Sequence, residues 1–185
     1  MKLIVYGSFN CPYSYLASRR VDGLVGLGAA DVEWRAVVHD PGVPVNGVPV
    51  VGELAEMFDR ELEQIRGLMG PGESFPAVRP TVQPNTTLAV AGYSATTSAD
   101  ADRLRERLFD AFWVEHLDIG DPGVLREMGC PTVSPGVTTE RWRAEWLGHD
   151  RPITPMMVLP DGTVSRGLGV LTRLADLGVH GGASR

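Results

Sequence analysis

The chain has 185 residues, of which 43% are hydrophobic and 22% charged, an ordinary globular composition that argues against a disordered scaffold. Its 17 basic and 23 acidic side chains give a formal net charge of −6, so it lacks the positive field that nucleic-acid phosphates require. No uncharged apolar run approaches the roughly 18 residues that a membrane-spanning helix needs. The composition therefore predicts one compact domain without a nucleic-acid or membrane partner.

The first fifty residues have the pattern of a β-α-β unit. An apolar strand is predicted over residues 1–9, a helix begins at Pro12 and ends at Gly26 to Gly28, and a second strand covers residues 31–38. The connection between the two strands is long enough for them to pair in parallel. Residues 40–52, which contain three prolines and three glycines, are predicted to form a loop.

From residue 53 to about residue 148 the sequence signals are helical. A first helix keeps its apolar side chains on one face and ends at Gly70-Pro71. Four more helices are predicted from capping residues, prolines and glycines. They run from Asn85 through Tyr93, from Ser98 through Leu117, from Asp121-Pro122 to Gly129, and from Thr138 or Thr139 to Gly148.

The last part of the chain has the pattern of a β-hairpin followed by a helix. The hairpin is predicted over residues 156–165 around a Pro160-Asp161-Gly162 turn, and the helix near residues 171–177. Because the chain begins with β-α-β and ends with β-β-α, we expect its two ends to form one sheet. The predicted organisation is thus residues 1–50, an inserted helical subdomain over residues 51–150, and residues 151–185.

Cys11 is the residue with the clearest chemical potential. It follows the first strand and opens the first helix, with Pro12 at the first helical position, where a missing N–H costs nothing. A sulfur there accepts from the free amides of Tyr13 and Ser14 and feels the positive end of the helix dipole, both of which favour thiolate over thiol. We therefore expect a lowered thiol pKa and a nucleophilic role in thiol–disulfide exchange. The alternative is a small buried residue.

Several segments together resemble a known family. They are Cys11-Pro12-Tyr13-Ser14-Tyr15-Leu16 behind a strand, Trp34-Arg35, Pro84-Asn85-Thr86, Leu108-Phe109 through Ile119, and Thr154-Pro155 before a strand and an Asp161-Gly162 turn. In this order and spacing the chain resembles the DsbA-like branch of the thioredoxin-fold superfamily, in particular relatives of 2-hydroxychromene-2-carboxylate isomerase, kappa-class glutathione transferase and FrnE-type oxidoreductases. The resemblance implies an α/β thioredoxin fold with a large helical insertion.

The resemblance also implies a substrate site. Thr154-Pro155 would be the cis-proline loop, which lies beside the active-site sulfur and offers backbone groups to an incoming peptide or thiol. Asn85 matches an Asn-Thr of the family and would line the cleft, whereas its alternative role is to cap a helix. Ser14 stands where redox members have a second cysteine, so a disulfide between positions 11 and 14 is impossible. Ser14 would instead donate a hydroxyl hydrogen to the sulfur.

These residues predict a monothiol oxidoreductase or thiol transferase. Cys11 would attack a disulfide or a small-molecule electrophile, and a small cellular thiol would release the adduct. The second cysteine, Cys130, is interpreted as a partly buried structural residue. With two cysteines and four scattered histidines the sequence has no zinc pattern, and the low cysteine count fits a reducing cytoplasm.

The co-substrate and two alternative functions stay open at this point. No tightly bound cofactor is expected, and the small thiol is glutathione or mycothiol. The isomerase and kappa-transferase relatives normally carry serine at the position of Cys11, and Gly167-Leu168-Gly169 replaces the Gly-Ser-Asp that holds glutathione in kappa-type relatives. One alternative is a small-thiol-dependent isomerase or transferase, and another is a non-catalytic binding module. A homodimer, with an iron–sulfur cluster held by Cys11 across it, is a weaker alternative.

Overall fold

The structure is a computed structural model that describes residues 2–26, 28, 30–76, 78–170 and 172–174. The chain divides into two compact units, one of Met1–His39 together with Gly136–Arg185 and one of Asp40–Pro135. In chain order the elements are β1 (Lys2–Gly7), α1 (Pro12–Gly26), β2 (Asp31–Ala36), β3 (Val48–Pro49), α2 (Gly52–Arg66), β4 (Val82–Gln83), α3 (Thr87–Ala95), α4 (Ser98–Trp113), α5 (Pro122–Glu127), α6 (Val137–Leu147), β5 (Met156–Val158) and β6 (Val164–Arg166).

The first unit contains a four-stranded sheet built from both ends of the chain. The strand order is β2-β1-β5-β6, with β1 parallel to β2 and antiparallel to β5. Central strand β1 is buried along most of its length, which explains its nearly continuous apolar sequence. The register pairs Tyr6 with both Arg35 and Met156, so the loop that leaves β1 and the loop that enters β5 lie at the same edge of the sheet. The prediction of a single sheet with a parallel first pair is confirmed.

Helix α6 belongs to the sheet unit. The sequence pattern predicts it as part of the inserted block, with a boundary near residue 150, whereas the structure groups Gly136 and the described residues after it with the sheet. Helix α6 begins after Gly136 instead of at Thr138 or Thr139, and it ends before Gly148 as predicted. Beyond β6, residues 168–170 and 172–174 are helical. The rest of the helix predicted near residues 171–177 lies outside the described residues.

The second unit holds α2 to α5 and a small β3–β4 pair. Two of its helix ends follow the predicted chemistry: Asp121 caps α5 by accepting the amides of Gly123 and Val124, and Gly129 follows the helix with a φ of 76°. Helix α4 ends at Trp113, earlier than predicted, because the chain turns through His116 at a φ of 55°. Strands β3 and β4 were missed because two residues are too few to give an alternating pattern.

Within the described residues, no helix is both long and apolar enough to cross a membrane.

Candidate active site

The turn between β1 and α1 presents Cys11 at the start of the helix. Its carbonyl accepts the amide of Tyr15 at 3.1 Å, which is the first helical hydrogen bond, and its own amide donates to the carbonyl of Ser8 at 3.1 Å. Cys11 therefore has the N-cap position predicted from Pro12, and its side chain is partly exposed. A sulfur in this position lies at the end of the helix where backbone amides point away from the helical hydrogen-bond ladder.

Two buried serines and an asparagine hold this turn. The hydroxyl of Ser14 accepts the amide of Ser8 at 3.2 Å, and the hydroxyl of Ser8 donates to Oδ1 of Asn10 at 2.7 Å. Ser8 and Ser14 are fully buried. The oxygen of Ser14 thus holds the turn as an acceptor, and donation of its hydroxyl hydrogen to the sulfur stays a prediction. Sequence reasoning missed Ser8 and Asn10, although small polar residues that bond their own backbone are typical of turns.

The structure brings Cys11 next to Thr154, which is 143 positions away in sequence. The thiol donates a hydrogen bond from Sγ to the carbonyl oxygen of Thr154 at 3.4 Å. The peptide bond between Thr154 and Pro155 is cis. The two segments meet because the loop after β1 and the loop before β5 share one edge of the sheet.

Three consecutive carbonyl groups of this loop each have a defined donor. The indole Nε1 of Trp146 donates to the carbonyl of Ile153 at 3.1 Å, and the amide of Gly167 donates to that of Pro155 at 2.9 Å. The thiol of Cys11 donates to the carbonyl of Thr154, which lies between these two. In contrast, the Thr154 hydroxyl is buried and has no hydrogen-bond partner among the described residues, and the residue as a whole is 8% exposed. The site thus contains one buried hydroxyl whose hydrogen-bonding capacity is not used by the described residues.

A polar network fixes α6 to the sheet. Arg35 of β2 donates to the Tyr6 hydroxyl at 3.0 Å and pairs with Glu145 of α6, and the same hydroxyl donates to Glu145 at 3.3 Å. Burial raises the pKa of Tyr6, which keeps this hydroxyl neutral and able to donate. The Nε of Arg35 bonds Glu33 at 2.7 Å, and this hydrogen bond lowers the pKa of the Glu33 carboxyl. The network holds α6 against the sheet, and the loop that carries Thr154 begins where this helix ends, after Leu147.

Cys130 lies in the second unit and has the properties of a structural residue. It is 2% exposed, and burial raises the pKa of its thiol from 9.0 to about 11. The packing is tight, since a Cβ added at Gly92 would lie 2.5 Å from its sulfur. A neutral, enclosed thiol is a poor nucleophile.

The raised pKa of Cys130 predicts a pH dependence of stability. The folded state keeps the thiol protonated while the unfolded chain ionises it near pH 9, so this contribution is complete below pH 9 and is lost as the pH rises to about 11. We expect the free energy of unfolding to fall by about 2 to 3 kcal/mol more over this range in the wild-type chain than in Cys130→Ala. Urea unfolding at pH 8 to 11 measures the difference, and parallel curves for the two proteins would contradict it.

Asn85 also lies in the second unit, and both ends of its side-chain amide are used there. Its Oδ1 accepts the amide of Thr87 at 3.0 Å and its Nδ2 donates to the carbonyl of Val43 at 2.6 Å. Helix α3 has Thr86 at its N-cap, so the predicted start at Asn85 was early. These bonds correspond to the capping role that the sequence left open beside a role in the cleft.

The second unit contains a cavity of about 510 Å³. It is lined by residues of α4 and of the segments around it, including Arg103, Arg107, Asp100 and Glu127, and by none of the site residues predicted from the sequence. Arg103 and Arg107 are already paired with Asp100 and Glu115. Among the described residues, no group of three or more His, Cys, Asp or Glu side chains is arranged to hold a metal ion.

A family comparison agrees with this architecture. The model of the DSBA-like thioredoxin domain matches residues 2–129. The chain belongs to this family. The matched range includes Cys11 and Ser14 but ends before Thr154, so the contact between sulfur and loop is a finding of the structure. No curated protein matches the chain significantly in sequence.

Three solved structures share the fold over nearly the whole chain. A 2-hydroxychromene-2-carboxylate isomerase aligns with a TM-score of 0.66 at 20% identity, covering 95% of this chain and 93% of its own. The cytosolic disulfide reductase DsbM from Pseudomonas aeruginosa, solved with GSH, aligns with a TM-score of 0.65 at 18% identity, covering 97% and 96%. A probable DsbA oxidoreductase from Streptomyces coelicolor aligns with a TM-score of 0.66 at 13% identity, covering 100% and 91%. The predicted thioredoxin fold with a helical insertion is thereby confirmed.

Proposed function

We propose that this DsbA-like protein is a monothiol thiol–disulfide oxidoreductase or thiol transferase with Cys11 as its nucleophile. The observation that carries the proposal is the position of the sulfur at the start of α1, where the Cys11 carbonyl accepts the first helical hydrogen bond from Tyr15 at 3.1 Å. A thiol at a helix N-terminus is the arrangement that favours a reactive thiolate. Pro12 and Tyr13 lie in the first turn of this helix, where Pro12 requires no hydrogen-bond acceptor and the Tyr13 amide is proposed to donate to the sulfur.

The reaction is an exchange that needs no external oxidant. The Cys11 thiolate attacks one sulfur of a substrate disulfide, the bond between the two substrate sulfurs breaks, and the leaving thiolate takes a proton from solvent. A small thiol, as its thiolate, then attacks the mixed disulfide, regenerates the Cys11 thiolate and leaves as a new disulfide. Ser14 cannot perform this second attack because a hydroxyl forms no disulfide, so release depends on the second thiol.

Thr154 and Pro155 are proposed to hold the incoming group. The Thr154 amide makes no hydrogen bond with any residue that the structure describes, and its hydroxyl is buried without a partner. A buried donor without an acceptor is costly, so a bound thiol that accepts from it gains more than at an exposed site. Asn85 matches an Asn-Thr of the family and stays a candidate residue of the cleft, although both ends of its side-chain amide already make hydrogen bonds.

A small thiol is the proposed co-substrate, and glutathione is the first candidate. The support is that DsbM was solved with GSH. Mycothiol is the second candidate, since Gly167-Leu168-Gly169 lacks the acid of the Gly-Ser-Asp that the resemblance to kappa-type relatives implies for glutathione. DsbM is a cytosolic disulfide reductase, and we propose the reducing cytoplasm as the compartment of this protein as well.

The rate of Cys11 alkylation measured against pH, combined with mass analysis of the protein isolated from cells, tests the proposal. We expect an apparent pKa well below the unperturbed value of about 8.5, together with a mass increase at Cys11 that a reductant removes and that identifies the thiol. Titration near the unperturbed value, with no adduct after incubation with oxidised glutathione, would favour a binding module instead.

A small-thiol-dependent isomerase is the second candidate. The observation that favours it is the structural similarity to 2-hydroxychromene-2-carboxylate isomerase, which equals that to the oxidoreductases. Such an enzyme holds its thiol without consuming it. Recovery of a noncovalently bound thiol beside unmodified Cys11 would therefore favour the isomerase.

A further inference from the structure

We infer that Trp146 is a positioning residue for the substrate loop, acting through the carbonyl of Ile153. The inference rests on the proposed function, because it assigns Trp146 the task of holding Thr154 and Pro155 where a thiol docks against Cys11. The observation is the 3.1 Å hydrogen bond from the indole Nε1 to the Ile153 carbonyl, one residue before the carbonyl that contacts the Cys11 sulfur.

The indole is held rigidly. Trp146 is 5% exposed and packs in a cluster with Tyr6 of β1, Val37 just after β2, and Met156 of β5. A ring enclosed by three parts of the sheet has little rotational freedom, so its N–H points in a fixed direction. The donor that reaches Ile153 is thus fixed by the core of the first unit.

Helix α6, which carries Trp146, is itself attached to the sheet. Glu145, the preceding residue, pairs with Arg35 of β2 and accepts from the Tyr6 hydroxyl. Two adjacent residues of α6 therefore have complementary contacts: Glu145 binds the sheet and Trp146 binds the loop. A displacement of the helix end would move both.

On this side the loop is also held by an exposed hydrogen bond from Nε of Arg166 to the carbonyl of Arg151 at 3.3 Å. Ile153 is 39% exposed, so burial of its side chain does not hold it firmly. On the other side of Thr154, the amide of Gly167 holds the carbonyl of Pro155. Without the indole N–H, the Ile153 carbonyl would lose its donor, and the backbone that carries Thr154 would be held less firmly beside the Cys11 sulfur.

This geometry predicts a specific kinetic signature. A disulfide that docks on the loop should react more slowly when the indole bond is lost, whereas a small alkylating reagent that needs only the sulfur should not. Trp146→Phe removes the N–H and keeps an aromatic ring. Trp142→Phe is the matched control, because Trp142 lies one turn earlier in α6 and is also buried, at 8% exposed.

The experiment compares both variants with the wild-type chain, using oxidised glutathione as the docking probe and iodoacetamide as the small probe. We expect Trp146→Phe to react about five-fold more slowly with oxidised glutathione, as loss of one neutral hydrogen bond implies, and within about two-fold of wild type with iodoacetamide. Trp142→Phe should stay within about two-fold in both assays. Equal slowing of both probes, or equal behaviour of the two variants, would overturn the inference.

The two proposals fail in different ways. A wild-type chain that exchanges neither with oxidised glutathione nor with a cystine-containing peptide would refute the proposed function, and the inference with it. Normal exchange by the wild-type chain together with an unaffected Trp146→Phe would refute the inference alone.

A measurement on the wild-type chain covers the case in which Trp146→Phe fails to fold. The chain has four tryptophans, and their indole N–H signals in nuclear magnetic resonance spectra are assigned by Trp→Phe variants at the other three positions. Formation of a mixed disulfide at Cys11 should shift the signal of Trp146 and leave that of Trp142 unchanged. An unshifted Trp146 signal in the mixed disulfide would contradict the coupling.

Discussion

Cys11→Ser is expected to lower the rate of exchange with oxidised glutathione by at least about 10³-fold, because a hydroxyl does not ionise near neutral pH and forms no disulfide. The substitution should leave the free energy of unfolding nearly unchanged. A serine hydroxyl can donate to the Thr154 carbonyl as the thiol does, and the site is partly exposed. Mass spectrometry of the mixed disulfide over time measures the rate.

Cys130→Ser is the matched control for this experiment, since it removes the other cysteine of the chain. With a pKa of about 11, only roughly one Cys130 thiol in 10⁴ is ionised at pH 7, and the side chain is 2% exposed. We expect Cys130→Ser to exchange at the wild-type rate after allowance for any loss of stability. If Cys11→Ser retained exchange and Cys130→Ser lost it, the assignment of the nucleophile would be reversed.

The sheet could be predicted from the sequence because its signals are local and agree with one another. A continuous apolar run before Cys11, a proline that opens a helix, and a second apolar run describe a β-α-β unit before any contact is known. The β3–β4 pair and the end of α4 escaped prediction for the opposite reason. The two strands are only two residues long. The end of α4 depends on the positive φ of His116, and this segment contains no glycine that would predict such a turn.

The features of the site that could be predicted from the sequence are also the local ones, and those that could not be predicted depend on long-range contacts. The N-cap position of Cys11 follows from the order Cys-Pro behind a strand, whereas its contact with Thr154 spans 143 positions and was anticipated by family resemblance alone. The Trp146 bond to Ile153 also has no sequence signature, because a buried tryptophan in a helix is ordinarily a core residue. Tertiary packing alone decides which backbone carbonyl its N–H meets.

Thr154→Val is expected to change stability and activity in opposite directions. The Thr154 hydroxyl is buried and has no partner among the described residues, and an unsatisfied buried hydroxyl costs about 1 to 3 kcal/mol. Valine has the same branched shape without the polar group, so we expect the free energy of unfolding to rise by about 1 to 2 kcal/mol in urea titrations. The matched control is Thr139→Val in α6, which is also 8% exposed and should leave exchange within about two-fold of wild type.

The exchange reaction should become slower in Thr154→Val, by about ten-fold with oxidised glutathione. The hydroxyl is proposed to donate to the docked disulfide or to the charge that develops on its leaving sulfur, and a hydrogen bond to a charged group is worth about 1.5 to 3 kcal/mol. A hydroxyl that only filled space would give the gain in stability without the loss of rate, which would contradict its proposed role. Opposite signs in the two measurements are the pattern expected of a group kept at a cost to the fold because the bound state uses it.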